Sequence, residues 1–446
     1  MSLPRYGEYR DIGVTWLGPI PWHWQVQRLK YVCTVFPSNV DKHSRDEESA
    51  IRLCNYTDVY YNERITSAMS FLEATASEDQ IAKFTLKAGD TIITKDSETA
   101  DDIAVAAYVP NDLPGVVCGY HLSIVRPRAG IAGSFVKRLF DSVYAKAKFA
   151  VAANGLTRVG LGQYALDNIE LPFPPFDEQA AIASFLDRET AKIDALIAEQ
   201  EKLLVLLAEK RQATISYAVT RGLDPNAPMK DSGIPWLGEV PISWSVCAIK
   251  RYTVVITDGA HISPETDGGI FDFVSTKDLA NDGIDFYGAL KTSASSYEYL
   301  VRTGCKPQCG DVLFSKDGTI GRTVVVDEER DFVVASSLII IRPDANLLDS
   351  LFLHYLCQSF VVRQQVDSYV KGAGLPRLSI QNLTKVHGVF PTLREQRKIA
   401  KFLAAKDDGW LSLRANAETA MTLLRERRRA LISAAVTGKI DVSNAA

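Results

Sequence analysis

The chain repeats itself at a period of about 220 residues, so it must fold as two like units rather than one. The first copy opens Trp16-Leu17-Gly18-Pro19-Ile20-Pro21-Trp22-His23-Trp24, and the second opens Trp236-Leu237-Gly238-Glu239-Val240-Pro241-Ile242-Ser243-Trp244. Gly89-Asp90 with Lys95-Asp96 returns as Gly310-Asp311 with Lys316-Asp317. Arg126-Pro127, closing an apolar run, returns as Arg342-Pro343, and Gly155-Leu156-Thr157-Arg158 as Gly374-Leu375-Pro376-Arg377. Each copy then ends in a proline and an acid–glutamine pair, Glu178-Gln179 or Glu395-Gln396, ahead of a long proline-free segment.

Those two segments predict helices. Proline stops what precedes them, acidic residues suit the first turn, and Gly222 and Gly438 stand where a helix ends. Apolar residues fall at steps of three and four: Ile182, Phe185, Ile193, Leu196, Leu203, Leu207, Ile215 and Ala218 in the first. Ile399, Phe402, Trp410, Leu413, Ala420, Leu424, Leu431 and Ala435 repeat the pattern in the second. About 45 residues make a rod of roughly 65 Å, and so narrow an apolar stripe suits a two-helix seam. Antiparallel pairing would relate the copies by an approximate twofold axis and invert one against the other. That symmetry matches a duplex read on both strands, with the rod setting the gap between half-sites.

Between the edges, β-branched runs (91–94, 122–125, 312–315, 333–341) predict strands, and 134–152 and 348–369 read as helix. The expected fold class is therefore α/β, with two pseudo-repeated α/β domains joined by two long helices in an antiparallel coiled coil. Residues 33–85 and 252–305 share little beyond an echo of Asn55-Tyr56-Thr57-Asp58 in Ser275-Thr276-Lys277-Asp278. A matched frame around a varied interior suggests one scaffold presenting two reading surfaces; duplication followed by drift gives the same pattern.

Length, charge and cysteine usage bound the rest. At 446 residues two or more domains are expected. A net charge of −4 leaves no overall basic footprint, so any cations that grip phosphate must be segregated onto one face. No apolar run approaches a membrane span, no signal-peptide plan opens the chain, and seven scattered cysteines fit a reduced compartment; a cytoplasmic protein is expected.

Candidate DNA contacts lie where cations and hydroxyls meet flexible backbone. Lys316-Asp317-Gly318-Thr319-Ile320-Gly321-Arg322 offers Lys316, Thr319 and Arg322 for phosphate or base edges, with Lys95 as the counterpart of Lys316 in the first copy. Tyr60, Asn62 and Arg64 belong to a polar aromatic cluster, Lys277 sits in the echoed segment, and Arg158 and Arg377 occupy matched positions. Each also has a plain structural reading, as a solvated turn, a strand end or a frame residue. Chemistry-bearing motifs are missing. Phe173-Pro174-Pro175-Phe176 lacks the hydrogen-bonding first residue of an amino-methyltransferase motif, no glycine pattern suits a nucleotide, and Cys305 with Cys309 is one pair where structural zinc wants four ligands.

The ordered set of doubled motifs resembles the specificity subunit of type I restriction–modification systems, over nearly the whole chain. The resemblance implies two target-recognition domains (1–175 and 223–392) and two spacer helices (176–222 and 393–440), together reading a bipartite DNA site. It implies double-stranded DNA and two modification subunits as partners, with restriction subunits a possible addition. It places S-adenosylmethionine, and ATP with magnesium, on those partners and no cofactor or catalytic residue here. The first copy departs in having Ser97-Glu98-Thr99-Ala100 where the second has Gly-Thr-Ile-Gly. The residues alone leave two other readings open: an enzyme, and a non-DNA coiled-coil scaffold holding two protein partners.

Overall fold

A computed structural model describes residues 4–266, 269–280, 283–370 and 376–443; Gly374 and Leu375 of the repeated arginine motif lie outside them. The chain divides into two compact units, 1–200 with 419–446, and 201–418. Each long helix, Phe176–Arg221 and Leu393–Val436, therefore gives one half to each unit.

In the first unit a four-stranded antiparallel sheet runs in the order Cys33–Pro37, Leu122–Pro127, Thr91–Thr94, Ala106–Tyr108. A three-stranded sheet sets Val116–Cys118 parallel to Ser49–Cys54, with Leu72–Ala76 antiparallel on the other side. The frame is a separate pair, Gln25–Arg28 with Glu170–Phe173. One core joins Trp24, Phe135, Phe140 and Phe173 to Ile182 and Leu186 of the first long helix and Ile432 and Val436 of the second. Low numbers of one helix meet high numbers of the other, so the pair is antiparallel.

The second unit has the same plan. Its four-stranded sheet runs Thr253–Asp258, Leu338–Pro343, Val312–Ser315, Thr323–Val325, all antiparallel. Phe271–Val274 has Phe332–Val334 parallel on one side and Leu290–Thr292 antiparallel on the other. Ile215 and Val219 share a core with Ile399 and Leu403, again antiparallel. The interiors that differ in sequence thus have one sheet order in both copies, because inward alternation rather than residue identity decides which strands pair.

The doubled motifs turn out to be doubled contacts. The indole of Trp24 donates to Glu178 (3.0 Å), and that of Trp244 to Glu395 (3.1 Å). Gln179 accepts from Ala132 N and donates to Pro174 O; Gln396 accepts from Asp349 N and donates to Pro391 O. Buried Asp90 takes the fork of Arg126 at 2.7–2.8 Å, and buried Asp311 takes that of Arg342 at 2.8 Å. The Asn55/Ser275 echo is a pair of capping boxes closed by Asp58 and Asp278. Gly222 and Gly438 adopt φ of 79° and 73°, and a Cβ on either would meet Trp244 or Pro21 and Trp24.

Each domain is completed by the helix that belongs, in sequence, to the other copy. Ser433 Oγ accepts from Val143 N (2.9 Å), and Ser216 Oγ accepts from Phe360 N (2.8 Å). These bonds satisfy first-turn amides of helices that restart at Ser142 and Ser359. The segments 134–152 and 348–369, expected as single helices, are each two for that reason: Gly133–Phe140 and Val143–Ala152, then Ser350–Gln358 and Phe360–Tyr369. Likewise 333–341 is two strands, turned where Leu338 N bonds back to Ala335 O.

Candidate nucleic-acid interface

Several of the expected contact residues lie near the ends of the central strands; Arg64 does not, because it bridges Tyr108 opposite Thr91, at the far end of the strand from Lys95. In the first domain Lys95 leaves the strand Thr91–Thr94, donates to Ser38 O (3.0 Å) and lies over the Tyr120 ring, 4.4 Å from its centroid. Partial burial pulls its pKa down. Asp96, beside it, lies 2.7 Å from both Arg158 Nη2 and His121 Nδ1. The Lys-Asp motif and the repeated arginine therefore meet, although sixty-odd residues part them. Tyr60 stacks on Tyr56, and its hydroxyl donates to Asp102, which pushes the phenol up to about 12. Asn62 is exposed and donates to Asp58 O. Arg64, also exposed, points at the first long helix and pairs with Asp187 at 2.6 Å.

The second domain repeats the geometry with different chemistry. Lys316 is buried and paired with Asp258, which also takes His261 Nε2 at 2.8 Å. Burial works the other way, but Lys316 and His261 hold the Asp258 carboxyl below its usual range. Asp317 pairs with Arg377 at 3.2 Å, the counterpart of Asp96 with Arg158. The loop that follows is a tight turn. Ser315 Oγ donates to Thr319 O and accepts from Arg322 N, while Gly318 and Gly321 take φ of 64° and 89°. Thr319 is exposed and Arg322 half-buried, and neither side chain has an ion-pair partner among the described residues. Lys277 is exposed, 4.0 Å from Asp278.

Sequence reasoning missed Tyr120 and His121 in the first domain and Asp258 and His261 in the second. No motif marks them, since they reach the site from neighbouring strands. What the arrangement offers is hydrogen bonding, stacking and cationic contact on surfaces that differ between the copies. Among the described residues no group of three or more His, Cys, Asp or Glu is placed to hold a metal ion, and no helix is long and apolar enough to cross a membrane.

The family model of the type I restriction modification DNA specificity domain matches residues 21–204 and again 246–418. The MjaX specificity subunit assigned to a type I restriction enzyme of Methanocaldococcus jannaschii is 22% identical over 436 residues, 96% of each chain. The type I restriction enzyme EcoBI specificity subunit of Escherichia coli is 25% identical over 279 residues, 59% of this chain and 57% of its own. Among solved structures, a chain from a study of complex assembly and conformational transition of the type I R-M system superposes with a TM-score of 0.64. It is 17% identical, covering 94% of this chain and 98% of its own. The HsdS subunit of Thermoanaerobacter tengcongensis gives 0.50 at 18% identity, with 94% and 98% coverage.

Proposed function

The chain belongs to the type I restriction–modification DNA specificity family, and on that premise we propose that it reads a two-part, asymmetric DNA sequence on behalf of a separate methyltransferase, with no catalytic centre of its own. One observation carries the reading. The frame is matched contact for contact, from Trp24–Glu178 and Trp244–Glu395 to Asp90–Arg126 and Asp311–Arg342, while the strand-end surfaces it holds out are unlike. Two unlike surfaces on one frame fit two different half-sites.

Asn62, Lys277, Thr319 and Arg322, exposed or half-buried, are the candidates best placed to meet bases or phosphate. Lys95, Arg158 and Arg377 keep exposed edges for phosphate while tied to the frame, and Arg64 and Lys316 act within it. Two modification subunits dock on the long helices. Each unit exposes leucines from both helices, Leu196 and Leu423 in the first and Leu203, Leu206, Leu411 and Leu413 in the second. These subunits bring S-adenosylmethionine; restriction subunits, where they join, bring ATP and magnesium.

The test is selection of bound duplexes from a random library at moderate salt, using the chain with and without its methyltransferase. A two-part sequence with one fixed gap, enriched in the presence of the partner and lost steeply with added salt, is expected. A stable complex that enriches no sequence would overturn the DNA-reading function and favour the scaffold.

A further inference from the structure

In the first unit, Glu63 lies on the loop after the short helix Tyr56–Tyr60, inside the stretch that the second copy does not share. Its carboxylate meets three cations from two other parts of the unit. Oε2 accepts from Lys137 Nζ (2.5 Å) and Arg138 Nη1 (2.9 Å), and Oε1 accepts from Arg428 Nη2 (2.5 Å) on the second long helix. Arg428 Nε also lies 2.9 Å from Asp194 of the first long helix. The next residue, Arg64, reaches Asp187 on that same helix, and Asp187 takes the other side of Arg138 at 2.7 Å. The loop is in turn fastened to the sheet, since Tyr108 N donates to Glu63 O and Ile65 N to Tyr108 O. One carboxylate and one guanidinium thus tie the edge strand of the reading domain to both long helices.

Among the described residues the second unit shows no such tie. Positions 217 residues on from Lys137, Arg138, Asp141 and Asp187 hold His354, Tyr355, Gln358 and Ala404. The matched arginine, Arg211, pairs instead with Asp407 between the two helices. Ala280, just past the 3-10 turn that corresponds to Tyr56–Tyr60, borders a cleft of about 1050 Å³ with Arg211, Gln358 and Trp410. Where the first unit has a closed charge cluster, the described residues of the second unit border a cleft.

We propose that Glu63 and Arg64 are positioning residues that lock the reading surface of the first domain to the helix pair, and so set the register of its half-site against the other. This rests on the DNA-reading function proposed above. Buried Lys137 and Arg138 are balanced by Glu63 together with Asp141 and Asp187. Though burial opposes its charge, the three cations Lys137, Arg138 and Arg428 hold the Glu63 carboxyl at about 2, well below its usual range. Neither residue need touch DNA for the lock to act. It works by stopping the domain from rocking on its helices.

The experiment uses the full chain with its methyltransferase and a pool of duplexes carrying the selected half-sites at gaps one to three base pairs shorter and longer. Wild type is expected to prefer one gap. Glu63→Ala and, as the milder variant that leaves the buried cations paired, Arg64→Ala are expected to flatten that preference about tenfold while base preferences within both half-sites persist. Glu63→Asp should restore part of it. A role confined to holding the fold would lower the amount of active complex and leave the ratio between gaps unchanged, which would overturn the proposal. Loss of base preference at the first half-site would overturn it too, by making these residues readers. If wild type selects no two-part site, the function itself has failed, and the variants are not needed to show it.

Discussion

Asp407→Ala should loosen the helix pair in the second unit, by an amount the geometry fixes. Arg211 meets Asp407 through two bonds, Nε to Oδ1 at 2.6 Å and Nη2 to Oδ2 at 3.0 Å, and Tyr355 donates its hydroxyl to the same carboxylate at 2.8 Å. Breaking a fully buried pair costs about 3–5 kcal/mol, and breaking an exposed one less than about 1 kcal/mol. These side chains are 33% and 18% exposed, which puts the pair between the limits, at ~2 kcal/mol after solvent screening. The orphaned hydroxyl of Tyr355 adds ~1 kcal/mol. A total of about 3 kcal/mol in a unit of this size lowers its melting temperature by roughly 6–12 °C. Urea unfolding followed by far-ultraviolet circular dichroism measures it, with Asp407→Asn expected to lose about half as much. A double-mutant cycle with Arg211→Ala then isolates the pair. A loss below about 0.5 kcal/mol at unchanged m-value would refute the claim that this contact fastens the helices.

Burial, helped by Arg211, holds His354 at about 4 against an ordinary 6.5. The unfolded chain therefore takes up a proton that the folded one refuses, and the second unit should lose about 3 kcal/mol as pH falls from 6.5 to 4. His354→Gln should flatten that slope in a pH series of melting curves; an unchanged slope would put the titration elsewhere. Gln396→Ala strips partners from Asp349 N, Leu347 O and Pro391 O and should cost ~2–4 kcal/mol in chemical denaturation, with Gln179→Ala costing the same in the first unit. Unequal costs would break the equivalence of the two frames. Asp441 N donates to Pro4 O at 2.8 Å and Lys439 Nζ to Pro19 O at 2.6 Å. A chain that starts at residue 223, with 443 joined to 4 by a short linker, should melt within roughly 1 kcal/mol of the parent and select the same DNA.

What could be read from the residues alone was the part that is written twice. The Trp-Leu-Gly openings, the Gly-Asp and Arg-Pro pairs and the Glu-Gln helix starts gave the frame and the family. The long helices were legible because their three-four periodicity runs uninterrupted to Gly222 and Gly438. The partners were not legible: Asp90 and Arg126 stood out singly, but nothing in their spacing says that one holds the other. Lys95-Asp96 and Arg158 were read as separate loop features, when a shared carboxylate joins them. Ser142 and Ser359 looked like ordinary helix residues, and only their caps break those helices. Arg64 stood out as a surface residue, but the Glu63 cluster beside it was not legible, because it draws on positions 63, 137, 187 and 428 and the described residues of the second copy show no counterpart.

The most direct test of the whole account is to lengthen the helix pair and ask what the DNA site does. Four residues added near Gln200, with four near Ala417 at the same level of the antiparallel pair, extend it by a little over one turn, about 6 Å. The variant complex, selected against a random duplex library, should enrich both parent half-sites unchanged, with the gap longer by one or two base pairs at ~3.4 Å each. An unchanged gap, or half-sites with altered bases, would contradict the claim that two fixed readers are held apart by these helices.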